Sequence, residues 1–166
     1  TAEKMLAVLF EHYRIPVVNL RLFNVYGPGQ NLNNLQQGMV SIFLAQAFSN
    51  KHILVKGSPE RFRDLVYIDD IVNSFTIFLG AIKSGYRCYN VSTGVRTTVR
   101  ELVEKIIAYL PYEVSVEYSD SIPGDQFGIY GDSKKIKKEL GWEYKTDLDE
   151  GLKKIIKSKN KDQFSI

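Results

Sequence analysis

At 166 residues, 44% of them hydrophobic and 25% charged, the chain has the size and balance of one ordinary globular domain with a real core. A formal charge of +3 is mild, and no basic stretch with interleaved aromatics suggests a nucleic-acid partner. The single Cys88 excludes an internal disulfide and suits a reducing compartment; His12 and His52, far apart and without nearby thiols, make no zinc site of the usual kind.

Apolar residues at helical spacing (Met5, Leu6, Leu9, Phe10) predict a helix over residues 1–13, closed by Pro16 and lacking a cap ahead of it. Residues 15–23 read as a buried parallel strand, and 24–34, rich in Gly, Pro and Asn, as a loop. A helix over 38–50, a strand over 53–55, a turn at Gly57-Ser58-Pro59 and a strand over 63–68 follow. Asp69 or Asp70 is expected to cap the next helix, to about residue 82, because a carboxylate there accepts from free backbone N–H groups. Next come a strand over 86–91 holding Cys88 as packing, a helix opened by Thr97 or Thr98 and ending near Leu110, and an edge strand over 114–118. Helices over 133–140, stopped by Gly141, and over 147–156 close the chain. The lysines at 153, 154, 157, 159 and 161 read as a solvated helical face. Strand–helix alternation of this kind argues α/β with mostly parallel strands. No apolar run approaches the roughly 20 residues that span a bilayer, and no secretory pattern opens the chain, so no membrane partner and a cytoplasmic location are expected.

Four stretches carry the chemistry. They are RLFNVYGPGQ (21–30), RDLVYIDD (63–70), YNVSTG (89–94), and Pro123-Gly124-Asp125 leading to Leu140-Gly141-Trp142. Asn24, just beyond a strand, offers an amide donor and acceptor suited to an uncharged sugar, or else shapes the turn before Gly27. Arg63 offers a planar fork for phosphate oxygens, or else an internal ion pair with Asp64 or Glu60; Arg61, two residues away, would share its strand face. Asp69 and Asp70 resemble paired acid–base carboxylates, but a helix N-terminus explains them more simply.

In this order and spacing, across nearly all 166 residues, the four stretches resemble the extended short-chain dehydrogenase/reductase family of NAD-dependent nucleotide-sugar epimerases and dehydratases, the UDP-glucose 4-epimerase branch above all. The resemblance implies an α/β fold: the C-terminal part of a Rossmann-type enzyme, with the last sheet strands and the small substrate-binding α/β subdomain over residues 1–166 and the dinucleotide-binding part absent. It implies a nucleotide-sugar partner such as a UDP-sugar, NAD in the complete enzyme, and a homodimer there; a 4,6-dehydratase, or a non-catalytic binding or assembly module, are the alternatives. By the same resemblance Asn24, Asn34, Leu35, Arg63 and Asp125 are expected to bind substrate, and Phe23 to meet the cofactor. Two departures stand out. Lys56 replaces the aromatic residue that stacks on the base in many relatives, and Ile122 replaces an arginine giving a second diphosphate contact, for which Arg96 or Arg100 would have to compensate.

Hydride chemistry needs a Gly-rich turn that sets backbone N–H groups and a helix N-terminus against the cofactor pyrophosphate, and no such Gly spacing occurs. The family's Tyr-x-x-x-Lys pair is read as missing, its place falling before Thr1, and Lys4 cannot serve because no tyrosine precedes it by four residues. No catalytic residue is expected in this chain. It is read as inactive alone, needing its N-terminal part or a partner chain, with a large apolar face left open.

Overall fold

The computed structural model describes residues 2–30, 38–81, 84–120 and 126–162. Helix α1 (Ala2–Tyr13) ends where Arg14 takes a left-handed φ of 56° and Pro16 cannot donate a hydrogen bond. Strand β1 (Val17–Leu22) then pairs in parallel with β6 (Tyr86–Val91), from Val17↔Tyr86 to Leu22↔Val91. The expected loop does not begin at residue 24. The chain stays extended and changes partner instead: the Phe23 N–H donates to the Val91 carbonyl (3.2 Å) and the Asn24 N–H to the Asp64 carbonyl (3.1 Å). Strand β2 (Asn24–Tyr26) thereby pairs in parallel with β5 (Leu65–Tyr67).

The expected strand over 63–68 is also divided. Strand β4 (Phe62–Arg63) stops at Asp64, β5 resumes at Leu65, and helix α3 (Ile68–Ala81) starts directly after Tyr67. Strand β4 lies between antiparallel β7 (Thr97–Thr98) and parallel β9 (Gly128–Ile129). Helix α2 (Met39–Asn50) leads through Lys51 into β3 (His52–Lys56), which pairs in parallel with β8 (Ser115–Ser119). Helix α4 (Val99–Ala108) opens with a capping box: the Glu101 N–H donates to Thr98 Oγ1 (3.1 Å), and the Thr98 N–H donates back to Glu101 Oε2 (2.7 Å). Helix α5 (Lys134–Leu140) ends at Gly141 with φ 68°, and α6 (Leu148–Asp162) runs beyond its expected end at residue 156.

Alternation along β5 divides the interior in two. Leu65 and Tyr67 face a core holding Phe43, Leu44, Ile53 and Leu102, while Val66 faces one holding Phe78, Tyr89, Val91 and Trp142. Asp69 is exposed and Asp70 buried in the first turn of α3. The Asp70 carboxylate does not cap that helix. It accepts from the backbone N–H groups of Lys145 (2.9 Å) and Thr146 (3.1 Å), tying the segment before α6 to α3.

The expectation of an open apolar face has a counterpart in α1, which buries no residue and exposes Met5, Val8, Leu9 and Tyr13. Cys88 is half-buried in β6. Among the described residues, no helix is long and apolar enough to cross a membrane.

Candidate functional site

Strands β1 and β6 are parallel, so their carboxyl ends open on the same side, the usual location of ligand crevices in α/β sheets. Asn24 sits there because the chain switches partners one residue earlier. Its backbone N–H and its Nδ2 (3.2 Å) both donate to the Asp64 carbonyl, which leaves the amide oxygen to accept from something else. Phe23, Asn24, Arg21, Leu22, Asn90 and Ile129 line an open cavity of about 370 Å³. Phe23 and Asn24, expected to meet cofactor and sugar, thus face a common space.

Arg63 makes neither of the ion pairs its sequence neighbours offered. Its Nη1 donates to the Phe62 carbonyl (2.8 Å) and its Nη2 to the Gln126 carbonyl (3.0 Å). Glu60 is taken by Arg100, whose Nε and Nη2 reach Oε1 at 3.0 and 2.9 Å. Among the described residues Arg63 therefore has no carboxylate partner, and two carbonyls aim its guanidinium while its charge stays uncompensated. Arg61 precedes β4 and does not share a strand face with Arg63. Its guanidinium donates to the Ser58 carbonyl (3.0 Å) and the Lys56 carbonyl, and it lines a second cavity of about 320 Å³ with Met39, Ile42, Gln46, Leu54 and Lys56. That slot has apolar walls and a cationic rim. Leu54 and Lys56, the latter in place of the aromatic residue that stacks on the base in many relatives, lie in it, whereas Val55 is buried in the core.

Both arginines that would have to compensate for Ile122 have partners elsewhere. Arg100 is spent on Glu60. Arg96 lies over the rings of Tyr130 (4.1 Å) and Phe62 (5.2 Å), which puts it on the face of β4 that carries Phe62. Asn34, Leu35, Ile122 and Asp125 fall outside the described residues.

The residue that sequence reasoning missed is Asp64. It is 0% exposed, and its carboxylate accepts four hydrogen bonds: from the N–H (2.8 Å) and Oγ1 (2.7 Å) of Thr93, and from the N–H groups of Gly94 (2.9 Å) and Gly131 (3.1 Å). Glycine at 131 permits that approach, because a Cβ there would stand 2.5 Å from Ser92 Oγ and 2.6 Å from the Phe23 ring. An acid at the head of the apolar run 65–68 is the one sequence signal that pointed to it, since a buried carboxylate needs partners.

Residues 1–155 match the family model described as GDP-mannose 4,6 dehydratase. The chain belongs to the NAD-dependent epimerase/dehydratase family. It is 34% identical over 141 residues to the dTDP-4-dehydro-6-deoxyglucose reductase of Escherichia coli, covering 85% of this chain and 44% of that protein. A UDP-glucose 4-epimerase from Thermotoga maritima, solved with UDP-glucose, superposes with a TM-score of 0.84 at 31% identity, over 97% of this chain and 51% of that one. The UDP-N-acetylglucosamine 4-epimerase of Methanobrevibacter ruminantium, in complex with UDP-N-acetylmuramic acid, superposes with a TM-score of 0.88 at 25% identity, over 96% and 51%. The chain spans about half the length of the curated relatives it matches, as a C-terminal portion of a Rossmann-type enzyme would.

For this family the tyrosines matter, and one reading needs correction. The string Tyr-x-x-x-Lys does occur, at Tyr130–Lys134. Tyr130 lies ahead of α5 with its ring under Arg96, while Lys134 starts that helix, 90% exposed, with Nζ 3.4 Å from Asp132. The two do not form a pair one turn apart on one helix. Burial raises the phenols of Tyr26 and Tyr67, and burial with the Glu139 carboxylate pushes Tyr89 up to about 12. All three stay protonated near neutrality and make poor bases. No group of three or more His, Cys, Asp or Glu among the described residues could hold a metal ion.

Proposed function

We propose that this chain is the nucleotide-sugar-binding half of an NAD-dependent sugar epimerase of the UDP-glucose 4-epimerase kind, with a 4,6-dehydratase as the alternative. The observation that carries the reading is Arg63: a guanidinium aimed by two carbonyls and without a carboxylate partner among the described residues, one residue before Asp64, whose carbonyl holds Asn24 beyond the end of β1. Arg63 binds the diphosphate, Asn24 accepts from a sugar hydroxyl, and the slot beside Leu54 and Lys56 takes the base. Asn34, Leu35 and Asp125 complete the substrate contacts.

In the complete enzyme a bound NAD would supply hydride acceptor and donor chemistry at the sugar carbon. The residues present fit only one edge of that cofactor. Phe23 and its neighbours at the 370 Å³ cavity would meet the nicotinamide, and no Gly-rich pyrophosphate motif occurs in the sequence. The exposed apolar residues of α1 favour a covering partner, the N-terminal half or a second chain, and the complete enzyme is proposed to be a homodimer. A purely binding module would use the same Arg63 without turnover.

The test is turnover by the full-length protein that carries this chain, supplied with NAD and UDP-glucose. The reading expects the C4 epimer, with a 4-keto-6-deoxy product marking the dehydratase. Saturable binding of the sugar without either product would contradict the enzymatic reading and favour the module.

A further inference from the structure

We infer that Asp64 is a positioning residue, a buried group that fixes Arg63 and Asn24 relative to one another at the ligand. The inference rests on the nucleotide-sugar reading above and extends it to a residue that itself touches no ligand.

Three connections meet at Asp64. Its carbonyl accepts both the backbone N–H and the side-chain Nδ2 of Asn24, which sets the orientation of that amide. Its carboxylate accepts from Gly131, binding the end of the segment that starts at Gln126 to the end of β4. The Gln126 carbonyl in turn aims the Arg63 guanidinium. The remaining carboxylate bonds hold the Thr93–Gly94 turn just beyond β6. A buried carboxylate satisfied by one hydroxyl and three backbone N–H groups cannot move without breaking several bonds at once. Asp64 also interrupts what would otherwise be one strand from 62 to 67, so this break costs strand pairing and is held open by those bonds. Among the described residues no cation pairs with it: the carboxylate's partners are neutral groups at Thr93, Gly94 and Gly131. Loss of its charge should therefore be felt as misplacement of Arg63 and Asn24, not as loss of a contact to ligand.

The experiment is a pair of double-mutant cycles read by UDP-glucose affinity on the 166-residue chain, at a temperature where circular dichroism shows each variant folded. Asp64→Asn keeps the shape, replaces one acceptor oxygen by a donor, and should weaken binding by about tenfold, the scale of one charge-assisted hydrogen bond lost at the ligand. Combined with Arg63→Ala or Asn24→Ala, it should cost less than the product of the two single losses, because one of the two groups it misplaces is already gone. A purely structural role would leave affinity unchanged in the folded variant, or multiply the losses, and either result overturns the inference. Should Asp64→Asn not fold, Thr93→Val removes one of the four bonds and should show a smaller loss with the same non-additivity; full affinity in that variant overturns the inference. Failure of the underlying reading is separable, because the unsubstituted chain would then not bind UDP-glucose at all.

Discussion

Arg63→Ala should weaken binding of UDP by about a hundredfold while leaving the melting temperature nearly unchanged. Arginine has five N–H donors, and two are spent on the carbonyls of Phe62 and Gln126, so three remain for phosphate oxygens. Each hydrogen bond to a charged group is worth about 1.5–3 kcal/mol, so losing two costs roughly 3 kcal/mol or more, a factor of about a hundred. The side chain is partly exposed and supports no core, so the fold should tolerate its removal. Arg63→Lys should fall between, because an ammonium keeps the charge but not the fork. Calorimetric titration with UDP checks this. Unchanged affinity in the alanine variant would remove Arg63 from the site.

Trp142→Ala should cost the most stability of any single substitution in the second core. The indole is 1% exposed among Ile71, Phe78 and Ile136, and its Nε1 donates to the Asp70 carbonyl at 3.0 Å. Truncating a buried aromatic of this size costs about 3–5 kcal/mol, from lost transfer energy and the cavity left behind. In a domain of this length that is a fall in melting temperature of roughly 10 °C. The loss should also loosen the segment whose Lys145 and Thr146 N–H groups rest on the Asp70 carboxylate. Thermal denaturation followed by circular dichroism measures it; a fall of only a degree or two would mean that α5 does not depend on this contact.

Most of the secondary structure was legible from local chemistry. Helices α2 and α4 follow from apolar spacing and, for α4, the Thr98–Glu101 box, and Gly141 ends α5 with the left-handed backbone its position predicts. What was not legible is what depends on distant pairing. Nothing in residues 24–26 says that they remain a strand, because their partner β5 lies some forty residues on, and Gly and Pro immediately after them read as a loop. Asp64 was hidden for a related reason. Beside Arg63 it looked like half of an ion pair, while its true partners are backbone N–H groups at 93, 94 and 131, which carry no side-chain signature. Asp70 misled in the same way, since a carboxylate in the first turn of a helix suits a cap as well as a long-range tie. Asn24 and Arg63 were visible as motif residues, but their common dependence on Asp64 was not.

The division of labour proposed for the two halves of the enzyme is tested most directly by titrating this chain separately with UDP-glucose and with NAD. The account predicts saturable binding of UDP-glucose and no saturable binding of NAD, because the groups proposed to hold diphosphate and sugar lie in this chain and its sequence carries no Gly-rich pyrophosphate motif. Tight binding of NAD with no binding of UDP-glucose would contradict it.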